Sequence, residues 1–153
     1  MLGREHAIGH PALTDRSTGL ANLLHFEVVY SYLFAAADRG VPLTLMLVST
    51  PGPDTGSLRA LGERIQDMTR ASDLVAYLGN ERFAVLLLGT NLSGGRLAAD
   101  RVDTALAEVA HGPVCIGLAC YQPEMVESSE LLEAADRALR AAEAAGGGLE
   151  MAI

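Results

Sequence analysis

Residues 70–88 read RASDLVAYLGNERFAVLLL. Two apolar runs, LVAYL over 74–78 and FAVLLL over 83–88, flank Gly79-Asn80-Glu81-Arg82. Runs of this length bounded by turn-forming residues read as strands. Gly79 and Asn80 belong to the residue types that tolerate positive φ, which a tight hairpin turn requires. The stretch is therefore predicted to be a β-hairpin. Its lead-in, Arg70-Ala71-Ser72-Asp73, places an R-x-x-D directly before the first strand, with Asp73 six positions ahead of Gly79.

On the C-terminal side, Asn91 to Gly95 reads as a loop with capping residues. Leu97, Arg101, Val102, Ala105, Leu106 and Val109 then mark an amphipathic helix that Gly112-Pro113 ends. Val114 to Ala119 is an apolar strand, and Ser128 or Ser129 can cap a further helix with Leu131, Leu132, Ala135 and Leu139 inward. Gly146, Gly147 and Gly148 stop that helix, and Leu149 to Ile153 is an expected edge strand. On the N-terminal side, Leu58, Leu61, Ile65 and Met68 define one face of a helix over Thr55 to Ala71. Ser49-Thr50-Pro51-Gly52-Pro53 breaks the chain after a buried strand over Leu43 to Val48. A first helix is expected over Ala21 to Asp38, closed by Gly40 and Pro42. Residues 1–14 read as a flexible lead-in and 15–153 as one domain. The order α, β, α, hairpin, α, β, α, β implies an α/β (α+β) fold, a central, mainly antiparallel sheet covered by helices.

With 153 residues the chain is long enough for one proper core. No apolar run reaches the length of a membrane span, and the N-terminus does not read as a signal peptide, so the cytoplasm is the expected location. The net charge of −8 argues against nucleic acid or an anionic membrane surface as partner. All eleven cations are Arg, each a planar fork able to bind bidentately. Cys115 and Cys120, five apart on one strand, point to opposite faces and read as reduced core thiols. His6 and His10 sit in a Gly- and Pro-punctuated tail that lacks the further ligands a metal needs.

The hairpin and its R-x-x-D resemble the signature of the GGDEF domain, the diguanylate cyclase fold of bacteria, in which the turn reads G-G-[DE]-E-F. Asp15-Arg16-Ser17-Thr18-Gly19-Leu20-Ala21-Asn22-Leu23-Leu24-His25-Phe26 resembles the family's D-x-L-T-G-L-x-N-R-x-x-F, with Ser17 and Leu23 departing from it. Cys115 to Ala119 resembles S-I-G-[IV]-A, and Ala135-Asp136-Arg137-Ala138-Leu139 matches A-D-x-A-L. The resemblance implies a nucleotidyl cyclase-like fold over nearly all of residues 15–148.

It also implies a chemistry that several residues here do not support. Joining two GTP molecules needs divalent metal held by carboxylates. Where the family carries D-x-D-x-F-K after the first strand, the two Asp positions are Ser49 and Pro51, and the segment that reads guanine has no counterpart. In the hairpin Gly79, Asn80, Glu81, Arg82 and Phe83 give GNERF: Glu81 keeps a carboxylate, Asn80 replaces a Gly, and Arg82 reverses a charge. Where the family carries A-K-x-x-G-R-N, Glu143 replaces the Lys and Gly147 the Arg. The expectation is an inactive, degenerate diguanylate cyclase with no catalytic residues, no metal and no cofactor.

What persists resembles the family's product-binding inhibitory site. Arg70 and Asp73 supply the R-x-x-D, and Arg101, 22 positions beyond Gly79, stands where the family has a second Arg. An Arg fork suits the O6 and N7 acceptors of guanine, and a carboxylate suits the donors on its Watson–Crick edge. The leading expectation is a cyclic di-GMP receptor, with a ligand-promoted homodimer and an unknown downstream protein as partners. The alternatives are a ligand-free interaction or dimerisation module and a GTP-binding regulatory domain without turnover. Read without the family, Arg70 and Asp73 are simply a surface ion pair at a helix end.

Overall fold

The computed structural model describes residues 10–50 and 58–152. Among these residues four α-helices and five strands follow one another as α1 (Leu23–Ala37), β1 (Leu43–Ser49), α2 (Leu58–Asp67), β2 (Leu74–Gly79), β3 (Arg82–Leu88), α3 (Leu92–Ala107), β4 (Cys115–Cys120), α4 (Ser128–Ala144) and β5 (Gly148–Met151). The sheet order is β2-β3-β1-β4-β5. β2–β3, β3–β1 and β1–β4 pair antiparallel, and β5 lies parallel to β4 at the edge. The expected mixed, mainly antiparallel sheet is therefore present.

β1 is central, and all seven of its residues are buried. Both faces of the sheet are covered, which is why LTLMLVS shows almost no polar alternation. On one face Leu43, Leu45, Leu47, Ala84, Leu86 and Cys115 meet Phe26, Tyr30 and Phe34 of α1 and Leu131, Ala135 and Leu139 of α4. On the other, Met46, Val48, Val85, Leu87, Ile116 and Leu118 meet Leu61 and Ile65 of α2 and Val102 and Leu106 of α3. Gly117 lets α4 lie directly on β4. A Cβ there would come within 2.3 Å of the Leu139 amide nitrogen and 2.6 Å of the Ala135 carbonyl oxygen.

Five sequence readings are revised. α2 ends at Asp67 rather than running to Ala71, because the Thr69 hydroxyl and amide both turn back to the Gln66 carbonyl, an alternative to further helix. In α3 the inward face is Gly95, Ala99, Val102, Ala105 and Leu106, while Leu97 is 63% exposed. Small residues mark that face because α3 lies close to β1: a Cβ on Gly95 would sit 2.8 Å from the Thr44 methyl. α4 is capped by Glu127 and Glu130, not by a serine; the Glu130 carboxylate accepts from the amides of Val126 and Glu127. Within the expected lead-in, Pro11–Leu13 forms a single 3₁₀ turn and Thr14 bridges to Ala21. In the hairpin the two central turn residues are Asn80 (φ +53°) and Glu81 (φ +64°), after Gly79 at +90°, so Glu81, a residue that rarely takes positive φ, shares the left-handed backbone assigned to Gly79 and Asn80. The expected starts of α2 at Thr55 and the metal position Pro51 lie outside the described residues, as do His6 and Ile153.

Candidate functional site

The R-x-x-D lies in the connection between α2 and β2. The Asp73 amide donates to the Arg70 carbonyl, and the Asp73 carboxylate folds back to accept from the Arg70 amide (3.0 Å) and the Leu88 amide (3.3 Å). Its side chain is only 2% exposed. Arg70 completes the arrangement through Nε and Nη2, at 3.4 and 3.2 Å from the two carboxylate oxygens. Nη2 also donates to the Leu88 carbonyl (2.8 Å) and the Thr90 hydroxyl (2.7 Å). The guanidinium is thus anchored along one side while the Arg70 side chain stays 58% exposed. Thr90 is itself held, because its carbonyl accepts from the Thr44 hydroxyl of β1.

Arg70 and Asp73 share a depression of about 210 Å³ with Arg101 of α3. Met68, Thr90, Leu97 and Ala98 also line it. All three sequence-predicted residues are therefore brought together, although they come from the α2–β2 connection and from α3. Thr90 and Leu97 belong to this site and were not anticipated. Nothing in the sequence marks Thr90 as the partner of Arg70, and Leu97 reads as an inward residue until the register of α3 is known. The depression offers two cationic forks, a hydroxyl and an exposed apolar side chain, a set suited to a planar anionic ligand with ring acceptors.

The altered hairpin lies at the other end of β3. Arg82, paired with Ser49 in the sheet, extends to α4, where Nη1 meets Asp136 at 2.9 Å and Nη2 meets Glu143 at 3.5 Å. Asp136 also pairs with Arg140, and the Ser49 hydroxyl donates to Glu143 at 2.7 Å. Glu81 donates its amide to the Tyr77 hydroxyl, and its carbonyl accepts from the Thr50 amide. The Thr50 hydroxyl is buried with no hydrogen-bond partner. A divalent cation would need converging carboxylates. Here a guanidinium already lies against two of them, and the hydroxyl in place of a metal aspartate is spent on one. This donor set does not fit the metal that the resemblance implies. Nor, among the described residues, do three or more His, Cys, Asp or Glu side chains converge elsewhere as a metal site would require.

The remaining titratable groups behave as their surroundings dictate. Burial pushes the Cys115 thiol up, against a hydrogen bond with Ser49 and with help from the nearby Glu143 charge. Such a thiol is a poor nucleophile. Cys120 is free and partly buried on the opposite face. His10 closes its own turn by accepting the Ala12 amide at Nδ1.

The family model described as "Diguanylate cyclase, GGDEF domain" matches residues 54–148. The chain belongs to the GGDEF family. It is 29% identical over 151 residues to the probable diguanylate cyclase DgcC of Escherichia coli K12, covering 86% of this chain and 41% of that protein. The chain thus spans about two-fifths of the curated relative's length. Among solved structures it resembles the GGDEF domain of YfiN (TpbB) from Pseudomonas aeruginosa, with a TM-score of 0.76, 26% identity and coverage of 92% of this chain and 94% of that one. The FimX GGDEF domain of the same organism shares the fold, with a TM-score of 0.82, 20% identity and coverage of 91% and 98%. So does the coiled coil and GGDEF domain of DgcB from Caulobacter crescentus in complex with c-di-GMP, with a TM-score of 0.81, 21% identity and coverage of 92% and 86%. No helix among the described residues is long and apolar enough to cross a membrane.

Proposed function

We propose that this GGDEF domain is a cytoplasmic cyclic di-GMP receptor that does not make cyclic di-GMP. The observation that carries the reading is the convergence of Arg70, Asp73 and Arg101 on one depression, with Arg70 anchored yet half exposed. An anchored Arg loses less freedom on binding than a free one. The GGDEF structure of DgcB in complex with c-di-GMP supports the ligand class. The loss of turnover rests on the hairpin: Ser49, Arg82 and Glu143 satisfy one another where phosphoryl transfer needs carboxylate-bound metal and free cations. The same contacts oppose GTP binding without turnover.

The test is calorimetric titration with cyclic di-GMP and with GTP at near-physiological salt, beside a turnover assay with Mg²⁺ or Mn²⁺. Cyclic di-GMP binds, and Arg70→Ala and Arg101→Ala each weaken it about ten- to a hundredfold. Arg82→Ala, remote from the depression, leaves it within about threefold, well below the change expected for a lost bidentate contact. Binding by Arg70→Ala equal to the parent's refutes the receptor reading. Cyclic di-GMP made from GTP and abolished by Glu81→Ala refutes inactivity.

One observation favours a second reading, an interaction module. The outer face of α1 carries Leu24, Val28 and Tyr32 at successive four-residue intervals, all strongly exposed. Unaltered cyclic di-GMP binding by Val28→Glu together with loss of a protein partner would give this face a role of its own.

A further inference from the structure

We infer that the outer face of α1 is where two copies of this chain pair, antiparallel and about a two-fold axis. The inference rests on the interaction-module reading and deepens it by naming a second copy as the partner. α1 carries one charged side chain, Glu27, in 15 residues. A helix that is apolar on every side is normally covered on every side. Phe26, Tyr30, Phe34 and Ala37 are buried in the core, and the Tyr30 hydroxyl donates to the Ser128 carbonyl of α4, so the rotation of α1 about its axis is fixed. That rotation leaves Leu24, Val28, Ser31, Tyr32 and Ala35 to solvent, with Tyr32 75% exposed.

Leu24, Val28, Ser31 and Ala35 follow at intervals of four, three and four residues, the seam spacing of paired helices. The spacing is the same read from either end. An antiparallel two-fold pairing therefore sets Leu24 opposite Ala35 of the second copy and Val28 opposite Ser31, a larger side chain against a smaller one at each level. Beside Ala35 lies a groove of about 610 Å³ lined by Phe34, Met125 and Val126, an apolar receptacle for Leu24 of the second copy. Leu24, Val28, Tyr32 and Val126 together expose on the order of 500 Å² per copy. Pairing thus buries about 1,000 Å², the lower end for a specific interface, which implies dissociation at on the order of ten to a hundred micromolar. Glu27 flanks the seam, and the two-fold axis brings both Glu27 carboxylates to the same side, on the order of 10 Å apart, where they repel. α1 lies on the opposite face of the sheet from α3, so this pairing and the depression at Arg101 use different surfaces.

The experiment is sedimentation equilibrium of the whole ligand-free chain from about 1 μM to 1 mM, a range that brackets the expected dissociation constant. The parent should pass from monomer to dimer. Val28→Glu should weaken the dimer at least tenfold and Leu24→Ala about three- to tenfold, while Arg101→Ala leaves it unchanged. Glu27→Gln should tighten it about two- to threefold at low salt and less at 1 M salt, a gain expected only where the two copies present the same carboxylate to each other. In a mixture of Val28→Cys and Ser31→Cys chains, mild oxidation should cross-link unlike chains ahead of like ones. A parent that stays monomeric throughout overturns the self-pairing and leaves the interaction reading to a different partner. A dimer indifferent to Val28→Glu overturns the pairing through α1 and, with it, the only face assigned to that reading. Weaker association of Glu27→Gln, or like chains cross-linked ahead of unlike ones, overturns the two-fold antiparallel arrangement.

Discussion

Replacing Arg82 by Met tests whether the altered hairpin holds itself together. Met keeps most of the aliphatic stem and removes the guanidinium that joins β3 to α4. Arg82 is 34% exposed, and its partners Asp136 and Glu143 are 21% and 28% exposed, so solvent screens the pairs only in part. The contact to Asp136 at 2.9 Å is a charge-assisted hydrogen bond; the one to Glu143 at 3.5 Å is a looser ion pair. Neither carboxylate is orphaned by the change, because Asp136 retains Arg140 and Glu143 retains the Ser49 hydroxyl. The loss should therefore exceed that of an exposed pair and stay below that of a buried one, about 1–2 kcal/mol. For a chain of this size that lowers Tm by roughly 2–8 °C. Double-mutant cycles with Asp136→Asn and Glu143→Gln should divide the effect unequally, with the larger coupling to Asp136. The assay is urea unfolding at low and at 1 M salt, where screening should shrink both couplings. Arg82→Met as stable as the parent, or the larger coupling to Glu143, would refute the reasoning.

Three further outcomes follow from other parts of the molecule. Cyclic di-GMP should promote dimers in the parent, because a ligand with two guanines can be shared by the depressions of two copies; sedimentation with and without ligand reads this, and Arg101→Ala should abolish it. A ligand-bound chain that stays monomeric at high micromolar concentration sinks the sharing idea without touching binding itself. Gly117→Ala should prevent normal folding, since its Cβ would meet α4 backbone at 2.3 Å and no side-chain motion relieves that; near-parent stability by thermal unfolding would show that α4 can shift. The backbone amides of Glu127 and Val126 hold the Glu130 carboxyl below its ordinary value of 4.5. With the folded value depressed, its contribution is present above that ordinary value and is lost as pH falls through the folded one. Glu130→Gln should accordingly flatten the acid limb of the stability profile below about pH 5, and an unchanged limb would count against the cap.

How much of this was legible in the chain depends on whether the signal is local. The hairpin, the order of elements and the apolar strands were readable because alternation, turn residues and helical spacing act over a few residues. The R-x-x-D was readable as a motif, and Arg101 could be placed beside it by its distance in sequence from Gly79. What the carboxylate of Asp73 does was not. Its commitment to the Leu88 amide depends on β3 returning past the α2–β2 connection, a non-local approach with no trace in residues 70–73. The register of α3 was misread at Leu97 because its buried face is built from Gly95 and Ala99, which carry little hydrophobic signal and are chosen for closeness to Thr44. The end of α2 was overrun because a single Thr69 side chain competes with the helix for one carbonyl. The contact of Arg82 with Asp136 and Glu143, 54 and 61 positions away, emerged only when β3 and α4 came together. Sequence alone established which charges differ from the family's pattern. Tertiary packing decided that those same charges meet, because α4 crosses the sheet closely enough at Gly117 to place them within reach of Arg82.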